Sequence, residues 1–176
     1  YDDVLVTMEA LRAKARFTVD IDGLAPPIQN VPEVELIEAY HPILLVNYKK
    51  AGKKVVPLNL SLNKDNKVVV ISGPNAGGKS VSLKTLGLIQ IMVQCGLPVP
   101  VKEGSTIGIF KNIFVDVGDT QSIDNELSTY SSKLTRLKYF VEKCDENTLF
   151  LIDEFGTGSD PDLGGALAES ILENLA

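Results

Sequence analysis

Apolar and polar positions alternate along this chain in two periods, and the places where the period changes mark its elements. Residues 1–16 carry Val4, Leu5, Met8, Leu11 and Ala15 at helical spacing with charges between them, which predicts an amphipathic helix whose stripe needs a partner. Residues 17–32 hold three prolines, a glycine and two aspartates and read as a connector. Val34, Leu36, Ile37 and Ala39 lead to Tyr40-His41-Pro42. A polar loop follows around Gly52-Lys53-Lys54, and then Val56, Leu58, Leu60 and Leu62 alternate; this region reads as strands flanking a larger core. Val68-Val69-Val70-Ile71 has the composition of a strand buried on both faces. From Ser80 onward Val81, Leu83, Leu86, Ile89 and Met92 recur as on one side of a helix, which Gly96-Leu97-Pro98-Val99-Pro100 ends sharply. Short strands at 105–110 and 112–117 come next, then a polar loop at 118–124. A helix with Leu134, Leu137, Phe140 and Val141 on its apolar face, an apolar strand at 148–152 and a last helix with Leu163, Leu167, Ile171 and Leu172 complete an α/β pattern.

Chemistry enters where the β-branched run meets glycine. Gly73-Pro74-Asn75-Ala76-Gly77-Gly78-Lys79-Ser80 fits G-x-x-x-x-G-K-[ST], placed between an apolar strand pattern and an amphipathic helix pattern. A phosphate chain is surrounded most cheaply by consecutive backbone N–H groups at a helix N-terminus. Glycines let the backbone approach without a Cβ clash. Lys79 can then set a compact cation on the β- and γ-phosphates, and the Ser80 hydroxyl suits a Mg²⁺ ligand. The segment from Gly73 through Val81 is therefore the expected nucleotide-binding stretch. The second motif, Thr148-Leu149-Phe150-Leu151-Ile152-Asp153-Glu154, is an apolar strand ending in two carboxylates. Asp153 is expected in the magnesium shell and Glu154 as the group that orients or deprotonates the attacking water. An acid-ended strand alone is common; paired with the upstream loop it points to phosphoryl transfer. Ser128 or Thr129 reads first as an N-cap of the helix that follows.

Composition narrows the classes. The chain has 176 residues, 44% of them hydrophobic, enough for one cored domain with a small appendage. Its net charge of −6 argues against a broad nucleic-acid-binding face within this stretch. Cys95 and Cys144 stand far apart in helical patterns and read as buried reduced thiols, which suits a cytoplasmic protein. No apolar run is long enough to span a bilayer. His41, the only histidine, precedes a proline in a loop and reads as a structural hydrogen-bonding residue. The chain starts in mid-pattern at Tyr1 and stops inside a helix at Ala176, so both ends read as interior to a longer protein.

These residues also carry a family resemblance. The chain resembles the ATPase domain of the MutS family: the loop at 73–80 is similar to its phosphate loop, Leu127-Ser128-Thr129-Tyr130 to its signature segment, and Ile152-Asp153-Glu154-Phe155-Gly156-Thr157-Gly158 to its Walker B and D-loop run. Asp116-Val117-Gly118-Asp119-Thr120-Gln121-Ser122-Ile123 and Gly158-Ser159-Asp160-Pro161 resemble the MutS-two branch. The resemblance implies a P-loop NTPase of ABC-ATPase type, with a mainly parallel sheet flanked by helices and a small antiparallel β appendage. It divides the chain into residues 1–32, a helix and linker left from a lever arm, and residues 33–176, the ATPase domain. It also implies ATP and Mg²⁺ as cofactors and a head-to-tail homodimer in which Ser128 of one subunit reaches the γ-phosphate held by Lys79 of the other, with Asn75 at the same site. DNA would be bound through domains outside this stretch, as branched or recombination intermediates, with stalled ribosomes a further partner of the branch. No aromatic near Val55-Val56-Pro57 matches the family's adenine-stacking residue, and the family's switch histidine falls after Ala176. The alternatives are a mismatch-recognising MutS ATPase and a module that uses nucleotide only to dimerise.

Overall fold

The computed structural model describes residues 2–74, 77–117, 126–153 and 161–175. In chain order the elements are α1 (Asp2–Asp20), β1 (Ile28–Gln29), β2 (Val34–Ala39), α2 (Pro42–Lys50), β3 (Leu58–Leu62), α3 (Lys79–Gln94), β4 (Thr106–Gly108), β5 (Asn112–Asp116), α4 (Glu126–Lys143), β6 (Thr148–Ile152) and α5 (Pro161–Leu175). β1, β4, β2 and β3 form a four-stranded sheet in that spatial order, and β5 and β6 form a two-stranded one. In the larger sheet β1 and β4 run parallel, whereas β2 is antiparallel to both its neighbours. β5 and β6 are parallel and paired along their whole lengths, Asn112 against Thr148 through Asp116 against Ile152.

This corrects the expected architecture. The domain is a small α/β unit with a mixed sheet and a separate parallel pair, not an ABC-type domain with a mainly parallel sheet. The antiparallel strands expected as an appendage are instead the middle and edge of the larger sheet. The reason lies at residues 68–71, whose β-branched run joins no strand. Val68, Val69 and Val70 are 40%, 45% and 73% exposed. β-branched composition favours an extended, half-buried backbone but does not supply a partner, and pairing decides whether an extended run becomes a strand.

Helix α3 organises the interior. Leu86, Ile89, Met92 and Val93 on its inner side join Ile21, Val34, Leu36, Val99, Ile107, Leu149 and Leu151 in one apolar core. The helix also approaches β6 closely, since a Cβ on Gly87 would lie 2.8 Å from Leu151 Cδ1. Gln90, fully buried, donates through Nε2 to the Gly108 carbonyl at 2.8 Å and to Gln94 Oε1. Gln94 in turn donates to the Phe110 carbonyl and accepts from the Phe110 N–H. These bonds fasten the helix to the segment that leaves β4 and enters β5, satisfying backbone groups the sheets leave open.

The smaller sheet is covered by α4. Phe140 stacks on Phe114 at 4.7 Å between centroids and meets Phe150 edge-on at 5.5 Å. An Asx turn launches β6: the Asp145 carboxylate accepts from the Thr148 hydroxyl and the Asn147 N–H, which holds its pKa below the ordinary value. At the other end of the molecule, α1 runs to Asp20, past the expected connector boundary, and buries none of its side chains; Ile21, just after it, is fully buried. Among the described residues no helix is long and apolar enough to cross a membrane.

Residues 42–50, expected within a strand region, form α2. Pro42 occupies the first turn, where its missing N–H costs nothing, and His41 is the N-cap, its Nδ1 accepting from the Leu44 N–H at 3.4 Å. That bond requires Nδ1 to be unprotonated. Burial lowers the His41 pKa from its ordinary 6.5, and the nearby charge of Lys84 adds to the shift. With the folded-state pKa depressed, the unfolded chain takes up the proton first as pH falls below 6.5, so the cap's stabilisation is present above that pH and is lost below it. Thermal melts are expected to show His41→Asn, which caps without titrating, removing this part of the pH dependence, whereas His41→Ala loses about 0.5–1 kcal/mol at neutral pH.

Candidate functional site

The glycine loop leads straight into α3. Gly73 has φ of 151° and Gly78, the N-cap, has φ of 82°, backbone states that side chains with a Cβ rarely adopt. Gly77 donates its N–H to the Pro74 carbonyl at 2.8 Å, and a Cβ there would lie 2.9 Å from the same oxygen. Lys79 folds back over this turn: its ammonium donates to the Gly73 carbonyl at 2.7 Å and to the Pro74 carbonyl at 3.0 Å. The first bond along the helix runs from the Ser82 N–H to the Gly78 carbonyl. By their place in the first turn, the N–H groups of Lys79, Ser80 and Val81 point toward the N-terminal end of α3, the positive end of the helix dipole. Ser80 is half-buried in this first turn and Val81 exposed.

Beside the loop lies an open groove of about 510 Å³, bounded by β3, residues 69–72 and Ser82. It is lined by both apolar and hydroxyl or amide groups, among them Leu58, Leu60, Asn59, Ser61 and Ser72.

Asp153 stands half-buried immediately past β6. Its N–H donates to the Asp116 carbonyl at 2.9 Å, which extends the pairing of β5 with β6 to their carboxyl ends. The contact of Gly87 with Leu151 places the loop's helix across the strand that ends at Asp153, so the two motifs belong to adjoining elements. Asn75, Ala76 and Glu154 lie outside the described residues. Ser128 and Thr129 fall inside the first turn of α4 rather than at its cap, and the Ser128 side chain lies outside the described residues.

The sequence reading missed a charged cluster at this edge. Asp116, with a side chain only 8% exposed, sits 3.1 Å from the Arg136 guanidinium and 3.9 Å from the Lys133 ammonium. Lys133 also donates to the Asp153 carbonyl at 3.2 Å. The signal was available in part: Asp116 ends a strand pattern just as Asp153 does, and Lys133 and Arg136 are three apart, on one side of a helix.

A glycine turn that clasps its own lysine at the head of a buried helix, next to an acid-ended strand, defines an α/β domain with a helix start prepared for anions. A family model described as MutS domain V matches residues 69–176. Endonuclease MutS2 of Clostridium kluyveri is 43% identical over 173 residues, and so is that of Carboxydothermus hydrogenoformans. The Halothermothrix orenii protein of the same name is 44% identical over 163 residues. The chain belongs to the MutS family, and these relatives are of its MutS2 branch. The first two alignments cover 98% of this chain but only 21% of each relative.

Proposed function

We propose that this chain binds and hydrolyses ATP for a MutS2-like protein, and that nucleotide draws two such subunits together on branched or recombination-intermediate DNA held by other segments. The observation that carries the reading is the Lys79 ammonium resting on the Gly73 and Pro74 carbonyls at the start of α3. A cation gathered by neutral carbonyls beside backbone N–H groups is stabilised further by phosphate oxygens, because charge-assisted hydrogen bonds are about twice as strong as neutral ones. Membership of the MutS family supports the same reading.

In the proposed reaction the loop from Gly73 through Ser80 holds the phosphates, with Lys79 on the β- and γ-groups and Asn75 facing the γ-phosphate. Glu154 accepts a proton from water as the water oxygen bonds to the γ-phosphorus; the bond to the β–γ bridging oxygen breaks and ADP leaves with the electron pair. The Ser80 hydroxyl and the Asp153 carboxylate fit magnesium, which takes oxygen donors and needs only one or two from protein when phosphates and water supply the rest. When bound, magnesium neutralises charge on the β- and γ-phosphates. Ser128 from the second subunit completes the site, so hydrolysis depends on closure of the pair. Glu154 also separates this reading from a module that uses nucleotide only to dimerise, since such a module needs no base.

Two measurements test the proposal. Lys79→Ala removes the loop's own cation, and titration with a fluorescent ATP analogue is expected to show affinity falling by about tenfold or more, a loss of at least 1.4 kcal/mol; unchanged affinity would refute the loop's role. Glu154→Gln in the full-length protein keeps shape but cannot take the proton. It is expected to bind ATP normally, fail to cleave it, and accumulate a closed dimer by light scattering. Adding Ser128→Arg, which fills the space meant for the partner's γ-phosphate, is expected to abolish that dimer while ATP affinity persists. A double variant that still closes on ATP contradicts the shared site.

A further inference from the structure

Asp116 is the most buried carboxylate among the described residues, and neither the loop nor the acid pair uses it. Its Oδ1 meets Arg136 at 3.1 Å; its Oδ2 accepts no hydrogen bond from the described residues and faces Lys133 at 3.9 Å. Burying a carboxylate is costly unless cations answer it, and here both come from one helix, α4. The arrangement reaches further through Lys133, half-buried, which bonds to the backbone carbonyl of Asp153. Asp116 itself is joined to Asp153 along the strand edge, carbonyl to N–H at 2.9 Å. A closed set of contacts therefore ties three things: the end of β5, the end of β6 where the magnesium-ligand candidate stands, and the middle of α4, whose first turn contains Ser128.

We infer that Asp116 is a positioning residue: through Lys133 and Arg136 it fixes helix α4, and with it Ser128, in register with the backbone of Asp153. The inference rests on the proposed nucleotide site and deepens it, because it names the link between the acid that serves a subunit's own nucleotide and the helix that serves its partner's. Charge is what the link needs. An uncharged side chain of the same shape can keep the bond to Arg136 but removes the negative charge that faces Lys133, so α4 loses part of its seat on the strand ends while the glycine loop is untouched. A residue with only a packing role tolerates that exchange.

The test uses the full-length protein and three variants, Asp116→Asn, Asp116→Glu and Arg136→Gln, with nucleotide affinity, kcat and KM measured for each. Asp116→Asn is expected to bind the fluorescent ATP analogue as the unaltered protein does and to lose about 10- to 100-fold in kcat with KM little changed, the size of effect seen when partners behind a metal ligand are removed. Asp116→Glu is expected to recover part of that loss, and Arg136→Gln to share it. Thermal melting separates positioning from folding: should Asp116→Asn fail to fold, Arg136→Gln, altered at a half-exposed position, carries the comparison. Unchanged kcat in a folded Asp116→Asn or Arg136→Gln protein overturns the inference, as does a kcat loss matched by an equal loss of nucleotide affinity. Absence of nucleotide binding by the unaltered protein would instead remove the underlying reading.

Discussion

The structure depends on the seat of α3. One helix packs Leu86, Ile89, Met92 and Val93 into the common core, and it lies so near β6 that position 87 has room for little more than a hydrogen. The glutamines of its last turns then satisfy backbone groups around 108–110 that neither sheet pairs. A buried carbonyl stripped of such a donor costs about 1–3 kcal/mol, so these amides hold register as well as contact. Because the helix is fixed at its far end and middle, its N-terminus is fixed too. The glycine turn before it needs no packing of its own: Gly73, Gly77 and Gly78 shape it and Lys79 ties it down.

The same logic governs the other edge. β5 and β6 run in parallel and in register, which brings Asp116 and Asp153 to a common end. A buried carboxylate such as that of Asp116 is costly at a strand end unless cations answer it. Lys133 and Arg136 supply those cations from α4, while Phe114, Phe140 and Phe150 hold the helix against the strands.

Periodicity read the helices best. The segments at 79–94 and 126–143 carry several apolar positions each at helical spacing, and the strand at 148–152 is apolar after Thr148 and bounded by an Asx turn and acids. The turn into α3 was legible because glycines at 73 and 78, ahead of a helical pattern, suit the positive φ that the backbone adopts there. Two features were not. Residues 42–50 hide a helix behind Pro-Ile-Leu-Leu-Val, a run as apolar as a strand, and only the cap at His41 and Pro42 separates the two. Residues 68–71 have strand composition but join no strand, since composition cannot say whether a neighbour offers free N–H and C=O groups. The mixed order of the larger sheet follows from β2 accepting antiparallel partners on both sides, a choice made by tertiary contacts far apart in sequence.

If the head of α3 receives the phosphates of a nucleotide, as proposed, its backbone amide resonances report the binding directly. Titrating the isotopically labelled protein with Mg-ATP and, separately, with adenosine distinguishes phosphate capture from contact with the nucleoside. The amides of Gly77, Gly78, Lys79 and Ser80 are expected to shift strongly with Mg-ATP and to stay in place with adenosine. Equal shifts with both ligands, or shifts with Mg-ATP that spare these four amides, would contradict it.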